Sequence, residues 1–518
     1  MNPTEEQTAV ISAWKNSKTS SIMVSAYAGC AKTTTLELLG KEIRVPALAL
    51  AFNKKIKEEL AARFPPNFQV QTMNSLGFAA LRRALPAVQK WDIDDRKIGK
   101  LVSQALKEQS IDASEDQWAL ARALVSAVMN AGLVPKEIAP TGGLLPDEPE
   151  VWKSIADDMF MARDDFALLA PVARQVLIDS IRLVPKGVIS FDDQIYYPAL
   201  ISGRFIPYPV VLVDEAQDLS PLNRELIRKS IGAASRLIVV GDPKQAIYAF
   251  RGADSLSMQR LRALREEWID LPLTLTWRCP RAIVARQQQH APGFRAAPEA
   301  PEGIFARLEV PSEIEGEAFW SWSDLESRAR PGDRIAILCR NNAPILKLAF
   351  KLLRQQIGVS MLGRDLAGGL AAHAKKLFKS DTPAAEMRQI LDEYLESETS
   401  KLGEGDEAKI DSISDRVESL RAILDGSGAR TGAELQSAIR QVFSRENGRV
   451  ELGSIHRAKG LEWDAVVHLD PWRLPSKASR DAAKRGNEVP LEQERNLKYV
   501  CETRTKFALF EANVEEFI

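Results

Sequence analysis

Short runs of aliphatic residues recur along the chain, each followed by a stretch with helical spacing. That alternation is the signature of α/β domains built on parallel sheets. Ser21-Ile22-Met23-Val24-Ser25 reads as a buried strand that feeds a glycine-containing turn and a helix beginning near Lys32. Val45 to Phe52 predicts a second strand, Val210-Val211-Leu212-Val213 a third, and Arg236-Leu237-Ile238-Val239-Val240 a fourth. About residues 86–187, between the second and third, read as mostly helical and interrupt the α/β pattern. The second half repeats the scheme, with core strands at Arg334 to Cys339 and Ala465 to Leu469 around a polar, charge-rich helical stretch at about 366–446. No short-period repeat is present, which argues against a solenoid.

Composition narrows the class without naming a function. At 518 residues the chain exceeds a single hydrophobic core, and 45% hydrophobic with 27% charged residues is ordinary for a globular protein. Sixty-nine Lys+Arg nearly cancel 70 Asp+Glu, so any nucleic-acid contact must come from a local basic groove rather than from overall charge. The acidic start at Thr4-Glu5-Glu6-Gln7 lacks the pattern of a signal peptide, and no uncharged apolar stretch approaches the roughly 18 residues of a membrane span. Cys30, Cys279, Cys339 and Cys501 lie far apart and form no CxxC pair, so neither a zinc site nor a disulfide framework is expected. These features predict a soluble, non-secreted protein of the cytoplasm or nucleoid, with no membrane partner.

The strand–turn–helix at Ser25-Ala26-Tyr27-Ala28-Gly29-Cys30-Ala31-Lys32-Thr33-Thr34 is where a phosphate-binding loop would sit. Backbone N–H groups from Ala28 to Thr34 and the helix N-terminus can hold phosphate oxygens, Lys32 can reach the terminal phosphates, and Thr33 can ligate Mg²⁺. Ala26 and Ala31 occupy both glycine positions of the usual pattern. Alanine at 31 is harmless if φ there is negative, but costs about 1 kcal/mol or more if it is positive. Asp214-Glu215 directly follows the aliphatic run 210–213. Carboxylates at the end of a buried strand cost desolvation unless they meet a cation or a polarised water. Asp214 is the candidate Mg²⁺ ligand, and Glu215 the candidate base for an attacking water.

Asp214-Glu215-Ala216-Gln217-Asp218, followed by Gly241-Asp242-Pro243-Lys244-Gln245-Ala246-Ile247-Tyr248-Ala249-Phe250-Arg251, resembles the superfamily 1 DNA helicases of the UvrD/Rep type. The likeness is greatest to the F-box DNA helicase branch, although no F-box is evident, and it runs from Gln7 to Arg504. It implies two RecA-like P-loop domains with parallel sheets, each interrupted by a mostly helical insertion. The first motor domain would take about residues 1–85 and 188–275, and the second about 276–365 and 447–518. By resemblance Gln7 reads adenine, Gln245 senses the γ-phosphate, Trp277 stacks on adenine, and Glu462 lies near the ribose. Arg278 and Arg504 match the two arginines that stabilise the transferring phosphoryl group, so that the site is complete only when the two domains close. For DNA the resemblance points to Phe52, Asn53, Thr72, Asn74, Tyr248, Phe250, Arg251 and His456, with Phe191-Asp192-Asp193 as much structural as DNA-contacting. Aromatic residues in such a track bind single strands by stacking, without reading sequence.

The implied activity is ATP- and Mg²⁺-dependent movement on single-stranded DNA, 3′ to 5′, with unwinding at single-strand/duplex junctions. An insertion of about 80 residues in the second domain is short for this type. Two alternatives therefore stand beside unwinding: a translocase that strips proteins from single strands, and a DNA-binding scaffold gated by ATP.

Overall fold

The first sheet is built from the runs that the aliphatic pattern marks. The computed structural model describes residues 3–139, 143–159, 161, 163–247, 256–308, 319–320, 333–400, 402–403, 407–444 and 448–515. Its early strands are Ser21–Ala26 (β1), Ala47–Ala51 (β2), Phe68–Thr72 (β3), the two-residue Asp92–Ile93 (β4) and Val188–Ile189 (β5), Tyr208–Val213 (β6), Ile231–Gly241 (β7) and Trp268–Leu273 (β8). Six of them form a parallel sheet in the order β3-β2-β6-β7-β1-β8, and β4 pairs with β5 apart from it. Parallel strands covered on both faces need uninterrupted apolar runs, which explains why Val210 to Val213 are all fully buried. Each such side chain contributes about 1.5–3 kcal/mol of hydrophobic stabilisation.

Between β3 and β6 the chain is mainly helical, with helices at Met73–Ala84, Lys97–Glu108, Glu115–Ala131, Pro149–Asp158, Arg163–Leu183 and Asp193–Leu200. Their apolar faces share one core with the sheet: Leu50 and Val211 belong to the same cluster as Val128 and Leu177. Helix Met73–Ala84 crosses Asp193–Leu200 so closely that a Cβ on Gly77 would overlap the Gln194 carbonyl oxygen. A buried ion pair adds a polar tie, with Lys97 Nζ 2.7 Å from Asp193 Oδ2 and also donating to the Ser180 carbonyl.

The later strands are Leu275–Thr276 (β9), Arg295–Ala296 (β10), Ile304–Leu308 (β11), Phe319–Trp320 (β12), Ile335–Cys339 (β13), Val359–Met361 (β14), Val450–Ser454 (β15), Trp463–Leu469 (β16) and Thr505–Ala512 (β17). Seven make a second parallel sheet, ordered β12-β11-β17-β16-β13-β15-β14, and β9 pairs with β10. Four helices, Arg364–Leu377, Ala384–Ser400, Glu407–Ser427 and Gly432–Ser444, lie between β14 and β15. Leu420 and Ile439 from that stretch share a core with Ile337 and Val467 of the sheet.

The chain divides into two compact units: Met1–Ala26 with Ala31–Leu273, and Tyr27–Cys30 with Thr274–Ile518. The fold is α/β with parallel sheets in both. Strand limits differ from the sequence expectation where burial ends: Val45 and Phe52 are exposed, so β2 covers Ala47–Ala51. β7 instead extends beyond 236–240 in both directions. Among the described residues no helix is long and apolar enough to cross a membrane.

Candidate nucleotide and DNA site

In parallel sheets, ligands gather at the C-terminal ends of the strands. Register sets out that edge in the first unit: Thr72 of β3 lies opposite Ala51 of β2, Leu50 opposite Val213 of β6, Val213 opposite Val239 of β7, and Ser25 of β1 opposite Gly241. The residues following these strands are therefore neighbours, from Phe52 and Thr72 at one end, through Asp214 and Asp242, to Lys32.

Lys32 begins the helix Lys32–Gly40, and its Nζ stands 3.6 Å from Glu215 Oε1. Ala31 caps that helix with φ +54 and Glu215 has φ +50, both in the left-handed region. L-residues there pay steric strain of about 1–2 kcal/mol. The costly case foreseen for alanine at 31 is thus the one the loop adopts. Asp214 is buried and its N–H bonds to the Leu50 carbonyl, while its Oδ1 accepts the Glu215 N–H at 2.8 Å. Burial pushes the Asp214 carboxyl up to about 7, with Glu215 adding and Lys32 opposing. Asp242 is also raised by burial, and Lys32 again opposes. Lys32 is thus the positive charge facing a dense set of carboxylates.

Gln217 and Gln245 complete this group. Gln217 Nε2 donates to Glu215 Oε2 at 2.6 Å, and Gln245 Nε2 donates to Asp242 Oδ2 at 2.6 Å. Gln7 caps its own helix with Thr4 and donates to Thr35 Oγ1 at 3.1 Å, which ties it to the helix Lys32–Gly40. Thr33 is half-buried and Thr34 exposed on that helix.

At the far end of the edge Phe52 is 45% exposed, and Phe191, just before helix Asp193–Leu200, is 54% exposed. Asn74 Nδ2 donates to the Phe191 carbonyl at 3.0 Å, which ties the backbone at Phe191 to the start of helix Met73–Ala84. Asn53 and Thr72 cap the helices that follow them, accepting from Ile56 N–H and Ser75 N–H. Their side chains thus have a structural task in addition to any contact with a strand. Tyr248, Phe250 and Arg251 lie outside the described residues.

In the second unit the segment Tyr27–Cys30 is held at several points. Tyr27 Oη donates to the Pro292 carbonyl at 2.7 Å, the Ala28 N–H donates to Tyr499 Oη at 2.9 Å, and Trp277 N–H donates to the Gly29 carbonyl at 3.0 Å. Gly29 has φ +71, and a Cβ there would come 2.6 Å from Arg278 Cβ, so glycine is required on both counts. Cys30 is buried and its N–H bonds to the Tyr27 carbonyl. Arg278 Nε pairs with Glu462 Oε2 at 2.8 Å, and Lys506 holds the other oxygen at 2.9 Å. Arg504 is buried, and its guanidinium donates to the Val500 and Leu461 carbonyls. Arg278, Glu462 and Arg504 are therefore brought into one neighbourhood, beside a Trp277 that is 46% exposed. His456 stands on the short helix Ile455–Ala458, partly exposed.

The described UvrD/REP helicase N-terminal domain matches residues 4–264, half of the chain, and the UvrD-like helicase C-terminal domain matches residues 380–515. The chain belongs to the UvrD/REP helicase family. Among relatives, F-box DNA helicase protein 1 of Schizosaccharomyces pombe is 24% identical over 94% of this chain and 54% of its own length. F-box DNA helicase 1 of Gallus gallus is 23% identical over 94% of this chain and 47% of its own. ATP-dependent DNA helicase UvrD2 of Mycobacterium tuberculosis is 26% identical over 62% of this chain and 51% of its own. The chain thus spans about half the length of these relatives. The parallel α/β sheets of the two units are consistent with two RecA-like helicase domains. Sequence reasoning assigned no role to Gln217, Asp242, Tyr499 or Lys506. The first two stand inside the quoted motifs, and Tyr499 inside the segment that resembles the family up to Arg504, so motif membership was the available signal; Lys506 shows its place only through its contact with Glu462.

Proposed function

We propose that this UvrD/REP family member is an ATP-hydrolysing motor that moves on single-stranded DNA, 3′ to 5′, and opens duplex at junctions. The observation that carries the reading is the Lys32–Glu215–Asp214 group at the strand ends of β1 and β6, wired by side-chain hydrogen bonds to Asp242 and Gln245. Lys32 would hold terminal phosphates, and Glu215 would orient and deprotonate the attacking water. Gln245 would report the γ-phosphate, and Gln7 and Trp277 would face the adenine. Arg278 and Arg504 would supply guanidinium charge to the transferring phosphoryl group, which is worth several kcal/mol in a dry site. Glu462 would keep Arg278 oriented in addition to any ribose contact.

The residues fit a divalent cation: two adjacent carboxylates at a buried strand end, one lifted by desolvation, are what a hard oxygen-seeking ion stabilises. Asp214 and Thr33 would hold Mg²⁺, and the ion would neutralise phosphate charge. Phe52, Asn53, Thr72, Asn74 and His456 would line the strand's path, with Tyr248, Phe250 and Arg251 proposed from the motif. Residues 86–187 and 366–446 are proposed as the helical insertions of the two motor domains. The protein would work where DNA is, in the cytoplasm or on the nucleoid.

Unwinding of 3′-tailed and 5′-tailed duplexes tests the reading. The 3′-tailed substrate should open with ATP and Mg²⁺, and Lys32→Ala should open neither. Opening from a 5′ tail alone would contradict the polarity, and ATP-independent opening would contradict the motor.

A further inference from the structure

The Glu215 carboxylate does not stand alone. Its Oε2 accepts from Gln217 Nε2 at 2.6 Å, and the same side chain's Oε1 accepts the backbone N–H of Asp242 at 3.0 Å. An ionised carboxylate only accepts and a backbone N–H only donates, so the amide of Gln217 has one orientation that satisfies both neighbours. Gln217 is 3% exposed, and the glycine at 241 leaves it room: a Cβ there would sit 2.7 Å from Gln217 Oε1. Asp242 is fully buried and carries the chain onward. Its Oδ1 accepts Lys244 N–H at 3.0 Å, and its Oδ2 accepts Gln245 Nε2 at 2.6 Å. Five residues thus form one path, Lys32–Glu215–Gln217–Asp242–Gln245, inside a single unit.

We propose that Gln217 is a positioning residue that couples Gln245 to Glu215, so that the state of the Gly241–Gln245 turn sets the aim of the hydrolytic carboxylate. The physical basis is the rigidity of hydrogen bonds of 2.6–3.0 Å through the buried Gln217 and Asp242, with a charge-assisted one at the Glu215 end. Movement of the turn displaces the Asp242 N–H, the planar amide follows it, and Glu215 Oε2 follows the amide. The role is not catalytic in itself, because Gln217 acts through Glu215. Tyr248, Phe250 and Arg251, the strand contacts proposed above, follow this turn in the sequence. The proposal rests on the hydrolysis reading above.

The test is the ratio of steady-state ATP hydrolysis with single-stranded DNA to that without it. Gln217→Glu keeps the acceptor for Asp242 N–H but turns the donor into an acceptor facing Glu215. The ratio should fall about tenfold, the effect of losing one charge-assisted hydrogen bond, while KM for ATP stays within about twofold. A fluorescent ATP analogue titrated into the same sample shows whether the variant is folded, and Gln217→Met, of similar length, replaces it if it is not. Gln217→Met combined with Gln245→Ala should lower the ratio no further than the larger single effect, since both break one path. Equal loss of stimulated and unstimulated rates, or multiplying effects in the double variant, would overturn the coupling role. Wild-type protein with no strand stimulation would instead overturn the proposed strand-coupled motor.

Discussion

Ala31 carries a φ of +54 at the entrance of the helix that holds Lys32, where the family pattern allows glycine. An L-residue in that region costs about 1–2 kcal/mol, so Ala31→Gly should stabilise the protein by about 1 kcal/mol, read as a higher thermal midpoint. An unchanged or lower midpoint would show that the loop is not strained. Glu215 is held in the same left-handed region by the strand end and by the Asp214 and Gln217 hydrogen bonds, and backbone strain of this kind gathers at functional positions. These residues were legible because their chemistry is local: Asp214 and Glu215 directly follow a buried strand, and Lys32 opens the helix after the turn that leaves another. Gln217 was not, since its meaning depends on Asp242, 25 positions away. Asn53 and Thr72 stood out only through the family resemblance, and their capping bonds appear once the following helices are placed.

Among the elements, the strands were readable and their polar ties were not. Runs such as Val210 to Val213 declare a doubly covered strand, whereas the pairing of Lys97 with Asp193 joins helices far apart in sequence. Burial depresses the Lys97 ammonium and Asp193 opposes that shift, so each charge depends on the other. Lys97→Met should therefore cost about 3–5 kcal/mol in chemical denaturation, with part recovered by adding Asp193→Asn. A loss below about 1 kcal/mol would mean that the pair behaves as a surface one. β16 poses the acid-side question. His468 is fully buried, neither ring nitrogen has a hydrogen-bond partner among the described residues, and burial lowers its pKa to about 3. Glu502 and Glu511 lie beside it, and Arg286 pairs with both, at 2.8 and 2.5 Å, with Lys498 3.7 Å from Glu502. A histidine whose folded pKa lies below its unfolded value of about 6.5 lets the unfolded state bind the extra proton, so stability falls as pH drops from 6.5 toward 3. Between pH 7.5 and 5.5 the wild type should lose about 1.4 kcal/mol more than His468→Leu. Parallel pH profiles of the two proteins would contradict this.

At the scale of the whole molecule, the sequence made the α/β class and the family readable because two sets of buried strands carry ordered motifs at their ends. What it left hidden is the way the turn after β1 divides: Tyr27–Cys30 group with the second unit, through Tyr499, Trp277 and Pro292, while Lys32 and Thr33 group with the first. No pattern of apolar and polar positions encodes such a division, because it arises from contacts between residues hundreds of positions apart. The proposed motor depends on the carboxylate of Glu215 activating the water that hydrolyses ATP, with the DNA strand setting the rate. The most direct measurement is steady-state ATP hydrolysis with and without single-stranded DNA, on the wild type and on Glu215→Gln. The account predicts strong stimulation of the wild type by the strand, abolished by the substitution. ATP binding with no hydrolysis above that of Glu215→Gln would contradict it.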